Sequence, residues 1–93
     1  MDIQFTWDER KRRANLRIHG LDFIDASRVF AGSTFTFEDD RFRYEERRFV
    51  TLGFLGAVEV AMVHTETRVE IRVISFRRAS RHEAAILFDH LAD

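Results

Sequence analysis

Residues 48 to 76 decide the fold and read RFVTLGFLGAVEVAMVHTETRVEIRVISF. The stretch contains three β-rich runs: Arg48–Phe54, Val58–Thr65 and Val69–Phe76. Leu55-Gly56 separates the first two runs, and Glu66-Thr67-Arg68 separates the last two. Connections this short favour antiparallel pairing between consecutive strands. The sequence therefore predicts a three-stranded meander at the centre of the fold.

The residues after the meander predict one well-marked helix. Ser80-Arg81-His82-Glu83 matches the S-x-x-E capping box, in which a serine and a glutamate satisfy the first backbone N–H groups. Apolar residues then recur at helical spacing: Ala84, Leu87, Phe88 and Leu91. A stripe of this kind is expected to pack the helix on the sheet.

The residues before the meander predict a short strand and a first helix. Three apolar residues alternate with polar ones, which is typical of a half-buried strand: Ile3, Phe5 and Trp7. Asp8 is then placed to cap a helix that runs to about Ile18. Gly20 is the left-handed residue expected just past its end.

A second helix and further β structure follow. Asp22 is placed to cap the helix and Gly32 to end it, with Phe23, Ala26 and Phe30 on one side. Apolar residues then recur at every second position, at Phe35 and Phe37, which predicts a strand. Asp39-Asp40 predicts a turn after it. Phe42 and Tyr44 are expected to extend an edge strand.

The element order predicts the fold class. With 93 residues, the chain has room for one domain, so residues 1–93 are expected to form one unit. The order β-α-α-β-β-β-β-α predicts an α+β fold, with the helices against one face of an antiparallel sheet of four to five strands. No run approaches the ~20 apolar residues of a membrane span, and the first residues lack signal-peptide features. A cytoplasmic protein without a membrane partner is the expectation.

Composition limits the possible chemistry. The net charge of −1 predicts no general affinity for polyanions. Lys11 is the only lysine among the 15 basic residues, so local arginine clusters carry the cationic chemistry, unless codon bias alone explains them. The chain has no cysteine, its 4 histidines are scattered, and it contains no glycine-rich phosphate loop. The sequence therefore predicts no metal site and no cofactor.

Several motifs lie in order along nearly the whole chain. Residues 5–11, FTWDERK, are similar to the pattern F-x-W-D-x-x-K, and Asn15 and His19-Gly20 continue it. In the middle of the chain, the residues that match the same set of motifs are Arg41, Tyr44, Glu46, Arg48 and Gly53. They are followed by Val63-His64-Thr65. Residues 72–83, RVISFRRASRHE, are similar to R-I-I-S-A-R-x-A-T-R-x-E. These motifs resemble those of the BrnT family.

The resemblance implies a RelE-like fold and a role as the toxin of a type II toxin–antitoxin system. Such a toxin is an endoribonuclease that cuts RNA without a metal ion and inhibits translation and growth until a BrnA-like antitoxin neutralises it. DNA would be bound only indirectly, through the antitoxin. Two departures, Ile18 in place of a lysine and Phe76 in place of a small residue, leave open a catalytically weakened module that binds RNA or antitoxin. A small interaction domain without a nucleic-acid role is a third interpretation.

An arginine cluster spans the end of the last predicted strand and the start of the last helix: Arg72, Arg77, Arg78 and Arg81. Arginine stabilises a charged phosphorane, and a helix N-terminus offers unpaired N–H groups to an anion. Alternation along the strand places Arg72 on the same face as Ile74 and Phe76, and Ser75 on the other face unless a bulge intervenes. Catalytic candidates from this segment are Arg72, Ser75, Arg77 and Arg81, although Ser75 lacks an implied histidine–acid pair; Arg78 is an RNA-binding candidate.

Two further residues, His64 and Glu83, are catalytic candidates for proton transfer. His64 can act as an acid or a base near neutral pH, but a buried histidine at a strand end is the alternative. Glu83 is either a general base beside Arg81 or only the second half of the capping box. His82 and His90 are expected to face solvent.

The remaining RNA-binding candidates are Lys11, His19 and Arg48. Lys11 and Asn15 lie one helical turn apart on the predicted helix. Either both side chains contact phosphate, or Lys11 forms an ion pair with an acidic neighbour instead. His19 lies in the last turn of its helix, where a cation also complements the dipole. Arg48 is a candidate through the BrnT resemblance. Aromatic residues beside arginines are candidates for base stacking: Phe42, Tyr44 and Phe76.

Overall fold

The computed structural model describes residues 2–41, 43 and 45–92, which form five strands and three α-helices. The strands are β1 (Gln4–Thr6), β2 (Phe35–Glu38), β3 (Phe49–Leu55), β4 (Val58–Glu66) and β5 (Glu70–Arg78). The helices are α1 (Glu9–His19), α2 (Ala26–Phe30) and α3 (Arg81–Leu91), with a 3-10 turn at Phe23–Asp25. The predicted edge-strand residues Phe42 and Tyr44 lie outside the described residues.

Local signals place the helix ends as predicted. The Asp8 side chain accepts hydrogen bonds from the backbone N–H groups of Arg10 and Lys11, and α1 stops at Gly20 with φ of 72°. Ser80 and Glu83 form both halves of the capping box at the start of α3. These ends are confirmed because a cap needs only residues that are close in the chain.

The sheet has the strand order β1-β5-β4-β3-β2. Strands β2 to β5 pair antiparallel with their neighbours, which confirms the meander, but β1 pairs parallel with β5, with Thr6 opposite Arg72. The α+β class is confirmed, and the expectation of a fully antiparallel sheet is corrected at β1. No hairpin joins β1 to β5, so local sequence does not set the direction of that pair.

The sheet is covered on both faces. One face, called the α2 face, packs Val60, Met62, Val73 and Phe76 against the helical residues Phe23, Ala26 and Val29. The opposite face, called the α3 face, packs Val50, Leu52 and Ala61 against Leu87. The expectation of helices on one face only is therefore wrong. Strand β4 carries apolar residues at both odd and even positions, so both of its sides must be covered.

A β-bulge in β5 changes which side chains share a face. Val63 pairs with Ser75, but the next residue of β4, His64, pairs with Val73, so Ile74 is an extra residue. Phe76 consequently lies on the α2 face with Val73. The predicted grouping of Arg72 with Phe76 is wrong, because the bulge reverses the alternation between them.

Helix α3 packs through a narrower stripe than predicted. Leu87 is fully buried and Ile86 is partly buried, but Phe88 is 51% exposed and Leu91 is 40% exposed. Helix α3 contacts the sheet through the side of the helix that carries Ile86 and Leu87, whereas Phe88 and Leu91 lie on the neighbouring side, which faces solvent. Among the described residues, no helix is long and apolar enough to cross a membrane.

Candidate functional site

Cross-strand pairing brings three of the predicted site residues onto the α3 face. Three pairs form successive rows between β4 and β5: Thr65 with Arg72, Val63 with Ser75 and Ala61 with Arg77. Directly paired residues point to the same side of a sheet, and Ala61 packs on the α3 face. Arg72, Ser75 and Arg77 therefore share that face. Arg48, two residues before the α3-face residue Val50, has the same parity.

Arg77 is held by Glu83 in the first turn of α3. Its Nη1 and Nη2 atoms donate to Oε1 and Oε2 of Glu83 at 2.7 and 2.9 Å. The Glu83 carboxylate also accepts the backbone N–H of Ser80 at 2.8 Å. The Arg77 hydrogen bonds lower the pKa of Glu83 to about 2, and the Ser80 N–H contributes. Glu83 is thus ionised and already engaged, which favours the capping interpretation over a general base.

The orientation of Arg77 leaves part of its guanidinium available. The Glu83 pair uses one N–H on each Nη atom, and Nη1 also donates to the backbone oxygen of Arg78 at 3.3 Å. A guanidinium carries five N–H donors. Within the described part of the chain, Nε–H and the second Nη2–H have no acceptor. These two donors lie on one edge of the group, the geometry that binds two phosphate oxygens.

Arg72, on the same face, is less constrained than Arg77. The side chain of Arg72 is 48% exposed, and its Nη1 lies 3.9 Å from Oε1 of Glu46. Such an exposed and distant ion pair is weak, because water screens it. Arg48 is partly buried. Arg72 is therefore able to exchange Glu46 for another anion at small cost.

A cleft of about 250 Å³ lies between the segment after β2 and the first turns of α3. Its lining consists of Phe37, Glu38, Asp39, Asp40, Arg41, Val50, Arg77, His82, Glu83 and Ile86. Arg41 is near enough to Arg77 that its charge opposes the rise in the pKa of Arg77 that the Glu83 hydrogen bond causes. His82 and Ile86 are four residues apart on α3, so they face the cleft together. The cleft joins the arginine-bearing part of the α3 face at Arg77.

The sequence model of one protein family, described as the ribonuclease toxin BrnT of type II toxin–antitoxin systems, matches residues 7–83. The chain belongs to the BrnT family. A crystal structure of the Brucella abortus ribonuclease toxin BrnT is similar, with 32% sequence identity and a TM-score of 0.67. That alignment covers 85% of this chain and 99% of the Brucella chain. No curated protein sequence matches the chain.

Membership of the BrnT family confirms the predicted ribonuclease toxin of a type II toxin–antitoxin system. A toxin of this class has an RNA target and an antitoxin partner. The matched segment runs from Trp7 to Glu83, so it contains the α3-face residues and the first turn of α3. The structural likeness to the Brucella protein confirms the fold assignment.

His64 lies on the opposite face of the sheet from Arg72, Ser75 and Arg77. It is fully buried on the α2 face, between the rings of Phe30 and Phe49, and its Nε2 lies 2.7 Å from Oγ1 of Thr51. Burial lowers the pKa of His64, against an opposing effect of the Glu66 charge. Protein encloses the ring, which favours the alternative of a buried histidine over the predicted acid–base role.

Other candidates are also separated from the α3 face. Arg78 pairs with Val60 and is exposed on the α2-face side of β5. Lys11 and His19 are exposed on α1, one turn before and one turn after Asn15. Asn15 itself is buried and hydrogen-bonded to protein, so the predicted contact of Asn15 with phosphate is wrong. Arg81 is exposed at the first residue of α3.

The two departures from the BrnT pattern do not alter the α3 face. Phe76 is fully buried in the core on the α2 face, so it neither fills the cleft nor stacks on a base. Ile18 is 73% exposed on α1. The other stacking candidates, Phe42 and Tyr44, lie outside the described residues.

His82 is exposed as predicted, and it also lines the cleft beside Arg77, which the sequence analysis did not indicate. The available signal was its spacing of four residues from Ile86, combined with its position next to the capping glutamate. Within residues 2–41, 43 and 45–92, no three His, Asp or Glu side chains group suitably to hold an ion.

Proposed function

We propose that this BrnT-family protein cleaves RNA on the exposed part of the α3 face, by attack of a ribose 2′-hydroxyl on the adjacent phosphate. The observation that carries the proposal is the bulge at Ile74, which aligns Arg72, Ser75 and Arg77 on one face beside the start of α3. Without the bulge, Arg72 and Arg77 would point to opposite sides of the sheet. The substrate is expected to lie along β5.

Arg77 is proposed to bind the scissile phosphate. Its Nε and Nη2 donors are available on one edge, while Glu83 fixes the other edge of the guanidinium at 2.7 and 2.9 Å. A guanidinium held in place stabilises the charge that develops on phosphorus without reorganising during the reaction. Arginine here supplies positive charge that some nucleases take from a metal ion, so cleavage is expected to proceed in EDTA.

Neighbouring groups are proposed to bind flanking phosphates and to move protons. Arg72 lies five residues from Arg77, or roughly 13–16 Å along a bulged strand, which suits a second phosphate rather than the same one. Arg48 directly precedes Phe49, which pairs with His64, so it lies near the end of the sheet that carries Arg72. His82 is the imidazole that lines the cleft among the described residues, and an imidazole can donate or accept a proton.

The chain offers an adjacent pair of arginines that tests this proposal. Arg77→Ala should abolish growth arrest on expression and reduce RNA cleavage in EDTA by about 100-fold or more, as expected for loss of a transition-state contact. Arg78→Ala removes the next arginine, on the opposite side of β5, and should retain activity. Thermal unfolding of both variants shows that each is folded. Equal activity of the two variants would refute the proposal.

The product distinguishes this mechanism from hydrolysis by an activated water. Attack by the 2′-hydroxyl leaves a 2′,3′-cyclic phosphate and a free 5′-hydroxyl, because the ribose itself displaces the leaving oxygen. An RNA with a 2′-deoxyribose at the cut should remain intact. Cleavage of that analogue would contradict the mechanism while leaving the ribonuclease assignment unaffected.

The antitoxin of this toxin is proposed to be a BrnA-like protein that covers the arginines of the α3 face, in the cytoplasm. The support is the exposure of Arg72 on this face and of Arg81 at the nearby start of α3, which leaves both guanidinium groups open to an acidic segment. DNA would contact only the antitoxin in the complex. Co-expression of a BrnA-like protein should restore growth, and the complex but not the free toxin should bind DNA.

A further inference from the structure

The cleft beside Arg77 differs chemically from the arginine-bearing surface that it adjoins. Its floor is apolar and contains Phe37, Val50 and Ile86, all of which pack on the α3 face. Its volume of about 250 Å³ is of the size that holds one small planar ring system. An apolar floor of this kind contacts a nucleobase well, because every base has an apolar face.

The charges around the cleft disfavour a phosphate inside it. Four carboxylates line it, whereas the lining contains two guanidinium groups. Three of the carboxylates are engaged in ion pairs: Glu38 with Arg47, Asp39 with Arg41 and Glu83 with Arg77. Asp40 is exposed and, of the described cleft carboxylates, is the one without an ion pair. Asp40 is thus a carboxylate of the described lining that no ion pair engages, and its charge attracts N–H donors rather than phosphate.

We propose that this cleft is a nucleobase subsite and that Asp40 selects guanine. The Watson–Crick edge of guanine carries two adjacent N–H donors, at N1 and N2, which match the two oxygens of one carboxylate. Adenine and cytosine offer an amino group beside a ring nitrogen that is itself an acceptor, so they leave one carboxylate oxygen opposite a lone pair. Uracil offers a single N–H between two carbonyl oxygens. Guanine is therefore the base that satisfies both oxygens of Asp40.

The position of the cleft relates this base to the cut, and in this respect the inference rests on the proposed function. Arg77 lines the cleft and is also proposed to bind the scissile phosphate. The base in the cleft then belongs to a nucleotide next to that phosphate. The reaction would cut beside guanine, with Asp40 setting the sequence preference and Arg77 the position of the phosphate.

The experiment uses the full chain and a set of unstructured RNAs that differ by G, A, C or U at one position. The wild type should cleave beside G at least about tenfold faster than beside the other bases, the discrimination expected from a two-point base contact. Asp40→Asn should lower the preference to about threefold or less, because an amide presents one donor where the carboxylate presents a second acceptor. Asp89→Asn, an exposed carboxylate on α3 outside the cleft, should keep the wild-type preference.

A binding measurement separates this inference from the ribonuclease proposal. RNAs with a 2′-deoxyribose at the cut test occupancy of the subsite without cleavage. Tighter binding of the G analogue than of the A analogue, lost in Asp40→Asn and kept in Asp89→Asn, supports the subsite even if no RNA is cut. Cleavage without base preference, or a G preference that survives Asp40→Asn, would overturn it. A preference for another base would overturn the assignment to guanine.

Discussion

The carboxamide of Asn15 makes two hydrogen bonds with the backbone of Phe76. Its Nδ2 donates to the Phe76 oxygen at 2.7 Å, and its Oδ1 accepts the Phe76 N–H at 3.1 Å. Among the described residues, β1 pairs only with residues 70–72 of β5, and no strand lies beside the rest of that edge. Asn15 supplies the donor and the acceptor that a neighbouring strand would supply. It thereby fixes α1 against the strand that carries Arg77.

Replacing Asn15 by leucine should destabilise the protein by about 2–4 kcal/mol, because two buried backbone groups of Phe76 lose their partners. Urea unfolding measures the loss. Arg17→Ala, at an exposed position of the same helix, should change the free energy of unfolding by less than about 0.5 kcal/mol. A similar small effect for Asn15→Leu would show that β5 does not need this contact.

Gly53 should not accept a side chain. A Cβ at this position would lie 2.9 Å from Cγ1 of Val29 and 3.1 Å from Cγ2 of Thr34, so Gly53→Ala should cost about 1–3 kcal/mol through overpacking. Gly32→Ala is the matched control, since its Cβ would meet only the Val29 oxygen at 3.7 Å. The difference in thermal midpoint between the two variants checks the prediction. Equal midpoints would show that α2 shifts freely away from β3.

His64 should make stability depend on pH. Its pKa is lowered by burial from the ordinary value of 6.5, so the unfolded chain takes up the proton first. The contribution of the neutral ring is therefore present above pH 6.5 and is lost as the pH falls below it, with a slope of at most about 1.4 kcal/mol per pH unit. Urea unfolding of His64→Gln should lack this component between pH 7.5 and 5.5. His19→Gln, exposed on α1, should retain it.

Glu83 should act on cleavage through Arg77. Glu83→Gln weakens the two-point ion pair, so we expect kcat to fall by about tenfold or more with a smaller change in KM. Ser80→Ala removes the other half of the capping box and should destabilise α3 by about 1 kcal/mol while leaving the ion pair in place. Comparable kcat values for the two variants would show that Glu83 serves only the helix end. Steady-state cleavage of one short RNA provides both constants.

His82 should contribute to cleavage as a proton donor or acceptor in the cleft. His82→Gln is expected to lower kcat by about 100-fold, because the variant lacks the imidazole that transfers the proton. The charged groups that share the cleft lining are Glu38, Asp39, Asp40 and Arg41 from the segment after β2, Arg77 from β5 and Glu83 from the same helix. His90→Gln, on the last turn of α3 against Phe35, should leave kcat unchanged. A wild-type kcat in His82→Gln would remove His82 from the reaction.

The sequence by itself determined the features that depend on neighbours in the chain. The caps at Asp8 and Ser80, the left-handed Gly20 and the hairpins on either side of β4 follow from a few adjacent residues, and all are present. The motif order also identified the BrnT family. These predictions succeed because short-range hydrogen bonds and turn geometry are largely independent of the rest of the fold.

Only the tertiary structure decided which of the site residues meet. One extra residue in β5 moves Ser75 and Arg77 onto the face of Arg72 and turns Phe76 into the core, and alternation alone cannot show a bulge. His64 and Arg72 lie on strands with similar apolar patterns, but the His64 side chain lies on the α2 face and the Arg72 side chain lies on the α3 face. The parallel pairing of β1 and the cleft beside Arg77 likewise join segments far apart in sequence. Their positions depend on how the whole core packs rather than on local propensity.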